Sequence, residues 1–451
     1  MGDRQLGIYV HIPFCARKCR YCDFLSFGAD LFLGGRREAS LLGAAPNQGL
    51  QRQTLSSDLA FLRQDAAQKD LSESSPSYSY KEALHDERFQ KIQQDYLTSL
   101  LQEIDAFEGA ERYELLSVYF GGGTPSFLDA EALMRVLEKI REKFVLPSSA
   151  EITVECNPGT LTDEKISAYR DHGVNRLSLG LQSSDPQLLH RLGRIHSYEE
   201  FQEEYRKVRR AGFSNVNVDL MYALPGQSRE SWRKTLMEVV RLPNGDGSYG
   251  PEHLSAYSLI IEEGTPFWEL YHEDNEAKIR GDRPLFLPDE ETEAGMLSDL
   301  KEILALHGYQ REEISNYARK GYESIHNNGY WLRREYAGFG LGAASLIGKY
   351  RYRNSNDLKD YLSGDHRRVD EERLSEREEI EETMFLGLRR MAGVDLARFR
   401  KTFGISAEDL YRETISMLER QGLIQIREGF LILTERGIEI SNVVLAEFLL
   451  D

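Results

Sequence analysis

Tyr9-Val10-His11-Ile12-Pro13-Phe14-Cys15-Ala16-Arg17-Lys18-Cys19-Arg20-Tyr21-Cys22 is the stretch on which the reading of this chain turns. A β-branched, apolar run from Gly7 to Ile12 predicts a strand, and it leads directly into three cysteines in C-x3-C-x2-C spacing. Thiolates are soft ligands, suited to iron–sulfur clusters or to zinc. Four cysteines saturate a cubane cluster, whereas three leave one iron open to an outside ligand. Two other readings compete. Structural zinc takes four protein ligands in separated pairs, so it would need His11 as the fourth, and His11 falls inside the predicted strand. The other is chance clustering of three of the chain's four cysteines. A disulfide scaffold would spread and pair them, so the usage fits a reduced, cytoplasmic compartment.

Beyond this stretch the sequence alternates. Strands are predicted at Gly7 to Ile12, Leu116 to Phe120, Ile152 to Glu155, Arg176 to Gly180, Val216 to Leu220 and Leu254 to Ile260. Helical stripes lie between them: Leu97, Leu100, Leu101 and Ile104, then Leu133, Val136, Leu137 and Ile140, at the i, i+3, i+4, i+7 spacing of one buried face. Strand–helix alternation implies parallel pairing. Six units predict an α/β fold, a partial (β/α)6 barrel with its functional groups at the C-terminal ends of the strands, by analogy with complete barrels. The barrel is expected over 1–27 and 89–270. Residues 28–88 interrupt it without a sustained period and read as a disordered insertion, or as a lid or docking segment. Residues 271–374 extend the barrel. From 375 to 451 a helix around Ile380–Leu388, others over Leu396–Phe403 and Glu408–Arg420, and a hairpin turning at Glu428-Gly429 predict a winged-helix-like module.

The chain's 451 residues, 41% of them hydrophobic, are enough for a large core. A formal charge of −18, from 74 acidic and 56 basic residues, argues against non-specific nucleic-acid binding. The wing does not overturn this, because Glu408, Asp409, Glu413 and Glu419 crowd the helix that a DNA reader would make basic. No apolar run approaches the roughly 18 residues of a membrane helix. The N-terminus lacks the pattern of a secretory signal, and Leu6 breaks that of N-acylation.

The quoted stretch is followed in order by Gly121-Gly-Gly-Thr-Pro125, Glu155-Cys-Asn-Pro158, Asn175-Arg-Leu-Ser-Leu-Gly-Leu-Gln182 and Asn217-Val-Asp219-Leu-Met. Together these resemble the coproporphyrinogen oxidase-like branch of the radical S-adenosylmethionine (SAM) superfamily, from about Leu6 to the C-terminus. The resemblance implies a 4Fe-4S cluster on Cys15, Cys19 and Cys22, with SAM on the open iron. It implies SAM contacts from Tyr9, Tyr21, Gly122, Gly123, Thr124, Glu155, Gln182, Arg194 and Asp219. Cys156 sits mid-motif and reads as a small buried hydrophobe. The three glycines are expected to let backbone approach a ligand closely.

The branch holds two contrasting functions: oxygen-independent coproporphyrinogen III oxidase, a radical decarboxylase, and the heme chaperones of the HemW type. Three features favour the chaperones. The oxidase pattern places a further cysteine where this chain has Phe24. The oxidase has a long arm before the first strand, and only a handful of residues stand here. His326-Asn-Asn-Gly-Tyr330-Trp331 matches the chaperone pattern H-N-x-x-Y-W. His326 offers an imidazole for heme iron, and Tyr330 and Trp331 offer flat surface for a macrocycle. The resemblance further implies heme and client hemoproteins as partners, a reductant protein, a homodimer and at most peripheral membrane association. It implies no catalytic residue, with the decarboxylase as the alternative. Gly338-Phe-Gly-Leu-Gly342 is expected to close the barrel near the SAM pocket.

Overall fold

A computed structural model of the chain describes residues 4–29 and 86–450, so the expected insertion lies, apart from its edges, outside the described residues. All six expected strands form: β1 (Arg4–Ile12), β2 (Tyr113–Gly122), β3 (Glu151–Cys156), β4 (Arg176–Gln182), β5 (Val216–Tyr222) and β6 (His253–Ser258). Each pairs in parallel with the next. Burial on both faces is what such a sheet demands, and every residue of β4 is buried.

The sheet continues past both ends of this series. Antiparallel β7 (Asn316–Ala318) adds to β6, and Gln310–Arg311 adds to β7. On the other side β8 (Tyr336–Phe339) joins β1 in parallel, a seventh parallel strand. Antiparallel β9 (Ala344–Ile347), β10 (Tyr350–Asn354) and β11 (Arg368–Arg373) follow. The two ends of this 12-stranded sheet are not neighbours, so the barrel is partial. Gly338 inside β8 and Gly340 just after it allow close backbone approach: a Cβ at Gly338 would run into the carbonyl of Ala344, and one at Gly340 into that of His11.

The helices cover the sheet with the predicted stripes. On α1 (Glu87–Ala106), begun by Asp86 accepting from the amides of Arg88 and Phe89, Leu97, Leu100 and Ile104 are buried. On α2 (Ala130–Lys143) Leu133, Val136, Leu137 and Ile140 are wholly buried, each worth roughly 1.5–3 kcal/mol by transfer out of water. The series continues with α3 (Asp163–Asp171), α4 (Tyr198–Arg210), closed by a Ser197/Glu200 capping box, and α5 (Arg229–Val240). The HNNGYW segment is a short helix, α6 (Ile325–Trp331).

The C-terminal region builds a second apolar cluster around Met384, Leu388, Phe399, Leu431 and Val444. It comprises α7 (Glu376–Gly387), α8 (Leu396–Phe403), α9 (Arg412–Arg420) and a hairpin of β12 (Ile424–Arg427) and β13 (Phe430–Leu433). Glu428 and Gly429 both have positive φ, the tight turn expected there. The helix expected over 408–420 is broken at Tyr411, which leaves helical geometry between Ala407–Leu410 and α9. Its ring is buried and its hydroxyl donates to the carbonyl of Phe448, so tertiary packing interrupts the local pattern.

Candidate cluster and cofactor site

The three cysteines sit on the loop after β1. Phe14–Cys15 pairs with Phe27–Gly28 and so pins both ends of that loop. Its middle is held by two backbone bonds, Arg20 N to Leu192 O and Phe267 N to Arg20 O, both 3.0 Å. Cys15 is buried, Cys19 and Cys22 are half-buried, and all three are free. They line one cavity of about 310 Å³ over the C-terminal ends of the strands.

Eight of the nine expected SAM residues line that cavity: Tyr21, Gly122, Gly123, Thr124, Glu155, Gln182, Arg194 and Asp219. Tyr9 does not; it stands behind Tyr119, ring centroids 6.3 Å apart. Gln182 ends β4 in left-handed geometry at a register shift, a bulge that re-aims the side chain. Glu155 accepts from Tyr119 Oη at 2.7 Å and from the Gly122 amide at 3.3 Å. Burial pushes its carboxyl up to about 7, with the Tyr119 bond opposing. Asp219 accepts from Ser178 Oγ at 3.0 Å and Asn217 Nδ2 at 2.8 Å.

The glycines serve the chain's own packing as well as the cavity. A Cβ would lie 2.9 Å from the Tyr119 ring at Gly121, 2.5 Å from the His11 ring at Gly122, and 2.8 Å from the Phe14 carbonyl at Gly123. Cys156 is buried, its thiol directed to the Val154 carbonyl at 3.5 Å.

Sequence reading missed Asn157 as a site residue. Its side chain donates to Thr124 Oγ1 at 2.7 Å and accepts from Arg194 Nη2 at 2.7 Å. Thr124 Oγ1 in turn donates to Cys15 Sγ, and Arg194 Nη1 to Cys19 Sγ, each at 3.5 Å. One amide thus ties together two donors aimed at the sulfurs of Cys15 and Cys19. It stood inside the Glu155-Cys-Asn157-Pro motif, but nothing in its type or spacing showed which way it faces. Arg176 was missed too. It is 1% exposed and lines the cavity, and among the described residues its guanidinium has no ion pair and its buried Nε no hydrogen-bond partner.

The donor set fits a cubane cluster better than zinc. Among the described residues no three His, Cys, Asp or Glu side chains converge tightly enough to hold one metal ion. A single zinc needs that convergence, whereas a cubane gives each thiolate its own iron. His11, the fourth ligand a zinc site would need, is engaged elsewhere, Nε2 with the Leu25 carbonyl at 2.8 Å and Nδ1 with Tyr9 Oη at 3.1 Å. Burial pushes the Cys15 thiol up to about 12 despite the bond from Thr124, so its thiolate needs a cation beside it.

The residues expected to contact heme do not form one open surface. His326 is 4% exposed, and both ring nitrogens are engaged: Nδ1 with Ser117 Oγ at 2.9 Å, Nε2 with Tyr330 Oη at 3.0 Å. Its ring stacks on Tyr119 at 4.8 Å. Burial, then the positive charge of Arg176, drive its pKa down to about 3, so it is neutral. Tyr330 is wedged edge-on between His326 and Tyr336. Trp331 faces away, under the Arg389 guanidinium at 4.5 Å and along a separate groove. His326 and Tyr330 therefore plug the barrel floor, and the three residues share no open face. An i, i+4 helical pair turned inward accounts for this.

An open parallel barrel with three free cysteines at its mouth defines a radical SAM protein. Residues 9–239 match the model of the Radical SAM superfamily, and residues 374–440 that of the HemN C-terminal domain. The chain is 34% identical to the heme chaperone HemW of Lactococcus lactis, over 100% of this chain and 99% of that one. With HemW of Bacillus subtilis it shares 32% identity over 98% of each. The fold matches the structure of the Escherichia coli coproporphyrinogen III oxidase HemN, a radical SAM enzyme, with a TM-score of 0.70 at 22% identity, over 99% of this chain and 90% of that one. This chain belongs to the HemW family of the radical SAM superfamily.

Proposed function

We propose that this chain binds heme and passes it to client hemoproteins, carrying a 4Fe-4S cluster on Cys15, Cys19 and Cys22 and SAM in the adjoining cavity. The carrying observation is the shared lining: three thiols and eight of nine expected SAM residues bound one cavity. The bound cluster with SAM would supply one-electron chemistry at its open iron. Thr124 and Arg194 stabilise thiolate charge by donating to sulfur, and Asn157 holds both donors in place. Glu155 and Asp219 are acceptors for an ammonium or ribose hydroxyls, and Arg194 is a donor to a carboxylate. The domain limits expected above form part of the same proposal, as do a reductant protein, a homodimer and a cytoplasmic setting. Among the described residues no helix is long and apolar enough to cross a membrane.

Heme would dock on α6. For His326 to ligate iron it must give up its bond to Tyr330, and the accessible surfaces are the outer face of the helix and Trp331. Titrating hemin into the purified protein should give a saturable Soret change that weakens in His326→Ala. An unchanged spectrum on titration into the unsubstituted protein removes heme binding. The decarboxylase reading is met by anaerobic assay with coproporphyrinogen III, SAM and reductant. Turnover to protoporphyrinogen would replace the carrier with an enzyme.

A further inference from the structure

The chain carries 18 more negative than positive charges, so an arginine without a carboxylate partner is out of keeping with its surroundings. Three such arginines gather where α6 meets the C-terminal region. Arg334, two residues beyond the helix cap at Leu332, is half-buried. Among the described residues its guanidinium has neither an ion pair nor a hydrogen bond. The same holds for the exposed Arg398 of α8. Arg390 donates from Nε to Asn328 Oδ1 of α6 at 2.9 Å and has no ion pair among the described residues. Neighbouring Arg333 shows that carboxylates can reach this junction: it pairs with Glu382 at 2.7 Å and Glu379 at 3.7 Å.

The three cations are close enough to act on one another. Burial first, and then Arg398, lower the pKa of Arg334; burial, then Arg334 and Arg398, lower that of Arg390. Glu312 acts on Arg390 in the opposite sense, but it is itself engaged with His253 and the Ser324 amide. Like charges gathered with so little counter-charge cost stability unless an anion joins them. Two grooves meet at this cluster and share Leu332. One, of about 670 Å³, runs along the outer face of α6 past Ile325, Gly329 and Arg334. The other, of about 390 Å³, is bounded by Trp331, Phe403 and Phe430 with Arg390 and Arg398. Only the second groove has aromatic walls, and the carboxylates in the two linings are already engaged: Glu151 and Glu323 by backbone amides, Asp395 by the Arg398 amide, and Glu379 by Arg333 and Lys349. An aromatic groove beside three guanidinium groups without a carboxylate partner is complementary to a flat apolar molecule that carries two carboxylates at one edge.

We infer that Arg334, Arg390 and Arg398 receive the two propionate carboxylates of heme docked against the outer face of α6. This rests on the heme reading above and adds the residues that orient the ligand. Arginine suits the task, because its planar fork meets a carboxylate through two parallel bonds.

The test compares hemin with hemin dimethyl ester, which has the same ring and iron but no carboxylate charge. Both are titrated in one detergent buffer against the unsubstituted protein, the triple variant Arg334→Gln/Arg390→Gln/Arg398→Gln and the single variant Arg398→Gln. Charge-assisted bonds predict that hemin binds the unsubstituted protein at least roughly tenfold more tightly than the ester. The triple variant should bind the two ligands alike, and Arg398→Gln should lose part of the preference. Lysine at the three positions should restore charge but only part of the preference. If hemin does not bind the unsubstituted protein, the heme reading fails. If hemin binds but the acid-to-ester ratio is the same in all proteins, the arginine assignment alone fails. Arg398 is exposed and unpaired, so its substitution leaves the fold intact and decides the matter should the triple variant misfold.

Discussion

The two ends of this barrel are finished in opposite ways. At the mouth, bonding capacity is left over: three thiols form no disulfide, and Arg194 and Arg176 each keep a buried Nε without a partner. Around His326, at the floor, it is used up. Glu151 accepts from the amides of Ile325 and His326 at 3.0 and 3.1 Å, which caps α6, and both nitrogens of His326 are bonded. Buried polar groups are normally satisfied, so leftover capacity gathered in a cavity marks where a ligand completes the structure. Saturated capacity marks where the chain completes itself. Substitutions at the mouth should therefore remove the cluster and spare the fold, and substitutions around His326 should weaken the fold and spare the cluster.

The largest expected effect is at the mouth. Cys19→Ala removes a half-buried thiol from a loop held by backbone bonds, and it should abolish the visible iron–sulfur absorption and bound iron after anaerobic reconstitution. The melting temperature of the iron-free protein should stay within a degree or two, since the change touches no core packing. Retained iron and spectrum would mean the triad is not the ligand set. A collapsed melting temperature would mean the mouth is as structural as the floor.

At the floor the order reverses. His326→Ala deletes a ring stacked on Tyr119 and leaves Ser117 Oγ and Tyr330 Oη without their partner. Unsatisfied buried groups and the cavity together predict a loss of about 3 kcal/mol, read as a lower urea midpoint. The cluster spectrum should survive at temperatures where the variant is folded. Heme titrations of this variant need that stability as their control, since a loosened floor and a lost ligand both weaken a Soret change.

Much of this contrast was legible in the sequence. Strand alternation and the helical stripes gave six of the seven parallel strands and the core faces, because period and burial are coupled. The seventh, Tyr336–Phe339, is only four residues with a glycine inside, too short for a periodic signal. At the site, thiol spacing and residue type marked the metal end, where chemistry depends on the identity of the atoms. Asn157 and Arg176 stayed hidden because their importance lies in direction and partners. His326 was legible as special, but its inward turn depends on the helix cap that Glu151 supplies from a strand more than a hundred residues away.

Arg176 stands where the two regions meet, lining the cavity yet near enough to His326 to depress its pKa. The smallest predicted effect is there, and its sign is the informative part. A buried guanidinium without an ion pair costs desolvation energy that a ligand-free protein does not recover, so Arg176→Met should raise the urea midpoint of the iron-free protein. The gain should depend on pH. Glu155 and Glu312 are both pushed up to about 7 by burial, with Arg176 pulling each downward. At pH 6 both are mostly neutral, Arg176 has little charge to answer, and the variant should gain about 1 kcal/mol. At pH 8 both are ionised, Arg176 offsets them, and removing it should shrink or reverse the gain. A loss of stability at pH 6 would show that Arg176 belongs with the satisfied floor, and that the boundary between the two regions lies closer to the cysteines than drawn.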